Sequence, residues 1–185
     1  MNAAPHTVSH FERLGLPEDF AVDPARLESR YLALLAELHP DGADHEDAGD
    51  PADPAARVRL LEASAAVNEA YRTLKDPYLR AEYLLSRQGG PGPEQDKRTP
   101  AGFLEEMLEL REQVDDALTG GDPAAAEAMV PALTARRDAL LAEVAALFSA
   151  PAPRLGDVRV ALNAVNYFRR MLQQIRDAKI GRREP

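Results

Sequence analysis

Cysteine is missing from all 185 residues. That absence excludes disulfides, thiolate zinc sites, iron–sulfur ligation by thiolate and cysteine nucleophiles, and it leaves no thiol from which to read a redox compartment. Basic charge is also short, with 22 Lys and Arg against 31 Asp and Glu for a formal −9. Phosphate binding needs a clustered excess of cations, so a nucleic-acid partner is not expected. No stretch nears the roughly 18 uninterrupted apolar residues of a membrane span. The opening MNAAPHTVSH has neither the basic nor the apolar region of a secretory signal. The expectation is a soluble, cytoplasmic protein with no membrane partner. Lysine is nearly absent too, three against nineteen arginines, which fits a codon-biased genome and carries no functional weight.

What is present suits one ordinary domain or two small ones. Acid is concentrated early: residues 1–90 carry nine Lys/Arg and sixteen Asp/Glu. Six of those acids (Asp41, Asp44, Glu46, Asp47, Asp50 and Asp53) stand with Gly42, Gly49 and Pro51 and no basic residue. Such a composition buries too little to order itself, and a mobile loop is expected there.

Helical periodicity accounts for the rest. Leu27, Tyr31, Leu34, Leu35 and Leu38 lie on one face of a helix that Asp23 caps and Pro24 opens, with His39-Pro40 as its stop. Leu60, Val67, Tyr71 and Leu74 mark a second helix from Pro54 to Leu74, ended by Asp76-Pro77. Two antiparallel helices joined by a long loop follow from this. Shorter helices are expected at His10 to Leu14 and at Tyr78 to Arg87. Gly89-Gly90-Pro91-Gly92-Pro93 then breaks the chain and, through Thr99, reads as a linker. Three longer helices follow: about Ala101 to Leu118, Asp122 toward Phe148, and one after Pro153 whose Val158, Ala161, Val165, Phe168, Leu172 and Ile175 form a bundle seam. Pro131 should kink or divide the middle one. No period-2 pattern is sustained, so the expected fold class is all-α, without a sheet.

His39-Pro40-Asp41 at the end of an amphipathic helix, then a loop, then a helix carrying Asn68-Glu69-Ala70-Tyr71-Arg72-Thr73-Leu74-Lys75-Asp76-Pro77, resembles the J-domain of DnaJ-type co-chaperones. A bare tripeptide of this kind is weak, since a helix stop and a solvated turn explain it equally. Its position between two such helices is more specific. So is the company of His10-Phe11 with Leu14-Gly15-Leu16-Pro17, and of Arg80-Ala81-Glu82-Tyr83-Leu84-Leu85. Together these resemble the HscB branch, the J-type co-chaperones of iron–sulfur cluster biogenesis. Phe103-Leu104-Glu105-Glu106-Met107-Leu108-Glu109-Leu110-Arg111-Glu112 is similar to that branch's client-binding helix, so the likeness covers nearly the whole chain.

The resemblance implies a J-domain at residues 8–76, a connecting helix and linker at 77–100, and a three-helix client-binding domain of the HscB oligomerisation type at 101–180. It implies that His39, Pro40 and Asp41 engage a DnaK/HscA-type chaperone and trigger its ATP hydrolysis, while this chain hydrolyses nothing and requires no cofactor. The tripeptide's chemistry suits docking: a ring at a helix C-terminus, a proline fixing the exit and a carboxylate able to pair with arginine. Its helix departs from the usual basic pattern, offering Arg26 and Arg30 against Glu28 and Glu37, with Arg30 the candidate for a supporting contact. By the same resemblance Leu104, Leu108, Glu109, Glu112 and Tyr167 bind the scaffold protein IscU. Glu105 stands where relatives often place an apolar residue. A general J-protein recruiting DnaK to other clients, with the outward apolar strip serving self-association, is the alternative.

Geometry bears on the client helix independently. At about 100° per residue, Phe103, Met107, Leu110 and Val114 fall within roughly 40° and form the core stripe. Leu104 and Leu108 lie about 100° and 140° from Phe103, beside Glu112 and Glu105 at about 180° and 200°. An apolar strip bordered by glutamates suits a partner face, although a wide stripe packing two neighbours gives the same pattern. Asp44, His45 and Glu46 lack a calcium-loop register and offer one histidine, so no metal site is expected. The basic residues Arg169, Arg170, Arg176, Lys179, Arg182 and Arg183 read as a solvated helix end that complements its dipole. No nucleophile–base pair supports a helical enzyme.

Overall fold

A computed structural model describes residues 8–38, 54–120 and 122–181. Among these every regular element is helical: α1 (His10–Arg13), α2 (Pro24–Glu37), α3 (Pro54–Lys75), α4 (Pro77–Arg87), α5 (Phe103–Thr119), α6 (Pro123–Ser149) and α7 (Leu155–Gly181). The all-α class expected from periodicity is the one found. The chain divides into two compact units, Met1–Leu84 and Leu85–Pro185, with the boundary inside α4.

Helix starts follow local chemistry. Ser9 and Glu12 form a reciprocal capping box at α1, each side chain accepting from the other's backbone amide. Asp23 accepts from Ala25 N–H at α2, and Asp122 from Ala125 N–H at α6, each ahead of a proline that has no amide to satisfy. Asp76, expected to act only as a stop, also opens α4: its Oδ1 accepts from Tyr78 and Leu79.

In the first unit α1 and α2 pack on α3. The apolar face of α2 is thin: Leu27 alone is fully buried, while Tyr31, Leu34, Leu35 and Leu38 are half-buried. Rings and polar groups complete the joint. Tyr31 stacks on Tyr71 with centroids 3.9 Å apart and planes 10° from parallel. Tyr31 Oη donates to Asn68 at 2.8 Å, Tyr71 Oη donates to Glu28, and Lys75 Nζ donates to Tyr71 Oη at 2.7 Å. From α4, Tyr83 stacks on His10 at 4.2 Å and accepts its backbone N–H. Arg80 lies over the Phe20 ring and donates from Nη1 to the Leu74 carbonyl at 2.6 Å, placing a cation at the carbonyl end of α3. Burial pushes the Arg80 guanidinium below its ordinary pKa.

The second unit is a bundle in which α7 packs against both α5 and α6. Every residue of the expected α7 seam is buried, and Leu162, Ala164 and Met171 join it because the helix faces two neighbours rather than one. Phe103, Met107 and Val114 of α5 and Ala126 and Leu133 of α6 close the core around Phe168. Pro131 does not divide α6, which runs unbroken from Pro123 to Ser149. A proline inside a helix costs about 3 kcal/mol. The long packed contact of α6 with α7, with Val130 and Leu133 anchored on either side of the proline, outweighs it.

The stretch read as a linker is fastened to α7. Arg159, 1% exposed, donates from Nε to the Pro91 carbonyl at 2.9 Å, and Asn163 Nδ2 donates to the carbonyls of Asp96 and Arg98 at 2.9 and 2.8 Å. The reason lies in composition: a segment rich in glycine and proline builds no backbone ladder, so its carbonyls take side-chain donors. Arg98 holds the Asp96 carboxyl well down, at about 2, chiefly through a side-chain hydrogen bond at 2.7 Å.

Candidate functional site

The residues singled out on α5 and α7 stand on one surface. Gly102, at φ 71°, adopts the left-handed turn that starts α5. Helical rotation from there buries Phe103, Met107 and Val114 and carries Leu104 and Leu108 outward. Leu104 is 57% exposed and Leu108 69%, in a unit whose other leucines are mostly covered. Tyr167 is 44% exposed, and its ring meets the edge of Phe103, the residue preceding Leu104, at 5.6 Å. That contact sets the α7 tyrosine beside the start of α5. Glu105, Glu109 and Glu112 are all exposed along the same outward side. Glu106 instead turns to α6 and pairs with Arg136, and Asp115 accepts from Gln174 of α7 at 2.7 Å, so these two acids are engaged by neighbouring helices of the bundle. A wide stripe packing two helices would have buried Leu104 and Leu108, and it does not.

Arg30 is placed differently from the free cation that docking calls for. Its Nε donates to the Leu14 carbonyl at 3.2 Å, and its guanidinium lies against Gly15. At φ 61° Gly15 is in the left-handed region, and a Cβ there would come within 2.7 Å of Arg30 Nη2. Arg30 thus clamps the corner between α1 and α2.

His39, Pro40, Asp41 and the acids through Asp53, with His45, lie outside the described residues, as do Arg182 and Arg183. Among the described residues no group of three or more His, Cys, Asp or Glu could hold a metal ion, and no helix is long and apolar enough to cross a membrane.

Residues 99–176 match the family model described as the HSCB C-terminal oligomerisation domain, a span that contains the whole exposed strip. A co-chaperone protein HscB homolog of Burkholderia multivorans is 37% identical over 145 residues, covering 78% of this chain and 79% of the relative. The chain belongs to the HscB co-chaperone family. An HscB homolog of Aliivibrio salmonicida is 39% identical over 121 residues, 64% of this chain and 67% of its own length. Among solved structures, the chaperone HscB from Vibrio cholerae superposes with a TM-score of 0.74 at 29% identity, covering 94% of this chain and 98% of that one. The human co-chaperone HscB superposes at 0.79 with 25% identity, covering 98% and 87%. HscB proteins are non-enzymatic co-chaperones that stimulate a partner's ATPase, and this chain is one of them, serving iron–sulfur cluster assembly in that general sense.

Sequence reasoning missed Arg159 and Asn163. The signal lay in two places at once, an Arg and an Asn four residues apart on the flank of the α7 seam and a proline-rich segment short of donors, and neither half speaks alone.

Proposed function

We propose that the chain carries a cluster-assembly scaffold of the IscU type to a DnaK/HscA-type chaperone in the cytoplasm and, with that client bound, stimulates the chaperone's ATP hydrolysis. The observation that carries this reading is the exposed strip of Leu104, Leu108 and Tyr167 beside Glu109 and Glu112, on the unit that matches the family's C-terminal domain. Apolar anchors give such a face its affinity, and the glutamates fix orientation and exclude partners of like charge. Glu105 adds charge where relatives often have an apolar side chain, which biases the client toward a basic rim. His39, Pro40 and Asp41 supply the chaperone contact, and Arg30 serves it by holding the corner from which α2 runs toward them.

Single-turnover ATP hydrolysis by the chaperone, with and without IscU, tests the reading. The expected result is stimulation that IscU enhances. His39→Gln should abolish all stimulation, whereas Glu109→Lys with Glu112→Lys should remove only the part that depends on IscU. Stimulation indifferent to IscU in the unaltered protein would instead indicate a general J-protein, and none at all would leave the tripeptide a helix stop.

A further inference from the structure

A groove of about 360 Å³ runs between α6 and α7, and no residue of α5 lines it. Its walls take positions three or four apart along each helix, from Glu127 to Arg137 on α6 and from Leu172 to Lys179 on α7. A helix sets such positions turn above turn on one side, so two rails face a trough about 10–15 Å long. Val130, Pro131, Leu172 and Ile175 give it an apolar lining. Arg137, Arg176 and Lys179 stand along it against the single acid Glu127, a local inversion of sign in a chain of formal charge −9. Lys179 pairs with Glu127 at 2.9 Å and Arg137 with its neighbour Asp138 at 2.8 Å, surface pairs that contribute little and exchange readily. Arg176 is exposed and pairs with no acid among the described residues.

An occupant that fills such a trough is itself helical, with an aliphatic side chain on each turn and acid on both flanks. No exposed face among the described helices supplies it. Leu104 and Leu108 span one turn of α5, and the next positions on their line are Arg111 and Asp115, both charged. Val58 and Leu61, exposed on α3, stand beside Arg57 and Arg59 and would set cations against cations. Residues 41–53 carry acid but no large aliphatic side chain. We propose that the α6–α7 groove docks an acidic amphipathic helix of a different protein, its aliphatic face on the lining and its acids toward Arg137, Arg176 and Lys179.

The groove and the α5 strip lie on different flanks of α7, since Leu172 and Lys179 stand about 140° and 120° around the helix from Tyr167. They also differ in sign: glutamates rim the strip and cations rim the groove, so one partner surface does not suit both. Groove docking therefore neither blocks the strip nor depends on what the strip binds. A trough of two to three helical turns buries far less than a standard interface, and the docking by itself is weak and reversible.

Fluorescence anisotropy with the full chain and a labelled peptide tests the docking. The probe is an alanine-based helix of about four turns with leucine on each turn and glutamate on both flanks of the leucines; a second peptide carries lysine in place of glutamate. The acidic peptide should bind saturably, and the lysine peptide at least about tenfold more weakly. Arg137→Glu with Arg176→Glu should weaken the acidic peptide by about tenfold or more and reverse the preference, while keeping the far-ultraviolet circular dichroism and melting temperature of the parent. Arg57→Glu with Arg59→Glu, which removes the same charge from α3, should bind the acidic peptide as the parent does. A parent that binds neither peptide, or both alike, would overturn the proposal, and so would binding of the acidic peptide that survives reversal of the groove. Equal loss in the α3 variant would reduce the effect to net charge and overturn it too. A lower sedimentation-velocity mass in the groove variant than in the parent would make the occupant a second copy, with the same consequence.

Discussion

The two units are held together by different means. In the bundle a continuous apolar core around Phe168 draws on three helices, and α7 alone buries ten residues from Val158 to Ile175. In the first unit α2 commits one fully buried side chain, Leu27, and the joint with α3 relies on two stacked tyrosines and the polar groups around them. Apolar burial is non-directional and tolerates small shifts, whereas stacked rings and hydrogen bonds specify register. The α2–α3 joint of the first unit therefore fixes register, whereas the second unit is a packed platform for the exposed side of α5.

The largest effect should come from the bundle. Phe168→Ala removes the ring at the centre of the core and should cost about 3–5 kcal/mol, read as a large fall in the melting transition of the second unit. In the hairpin the same kind of deletion should matter less. Tyr71→Ala should cost about 2 kcal/mol in chemical denaturation, and Tyr71→Phe about 1, because the phenylalanine keeps the stack and loses only the hydroxyl's bonds. Equal losses at Tyr71→Phe and Tyr71→Ala would show that the hydroxyl, not the stack, holds the joint.

Arg159→Met tests how the proline-rich segment is held to α7 within the second unit. It leaves the Pro91 carbonyl without its donor, at about 1–3 kcal/mol, and hydrogen exchange should rise in residues 91–98 while the α7 core stays protected. Gly15→Ala tests the corner that Arg30 clamps: the positive φ and the approach to Nη2 should together cost about 1 kcal/mol, and part of that should disappear in Arg30→Ala. The smallest effect is on pH. Asp96, held at about 2, is depressed below its ordinary value, so its contribution is present at neutral pH and is lost as pH falls from about 4 through 2. Asp96→Asn should flatten the acid limb of the stability profile over that window.

How much of this was legible beforehand differs from element to element. The α7 seam was readable to the residue because three- and four-residue spacing of large apolar side chains has one helical solution. The starts of α2 and α6 were readable because Asp followed by Pro is a cap with a local cause. The outward turn of Leu104 and Leu108 followed from 100° per residue, but two readings remained until both leucines were found exposed rather than packed on a second neighbour. Of the two outcomes expected at Pro131, a kink or a division, the division does not occur, because the local rule was set against packing that only α7 supplies.

Periodicity, caps and turn residues act within a few positions along the chain, so the sequence by itself determined the helices, their buried faces and the motifs that resemble a family. Tertiary structure alone decided that Arg159 and Asn163 fasten a proline-rich segment 65 to 68 residues away, that Arg30 is a clamp, and that α6 survives its proline. Each of these pairs a donor with an acceptor, or a helix with a neighbour, from a distant part of the chain, and such partners are brought together only when burial sets the course of the backbone between them.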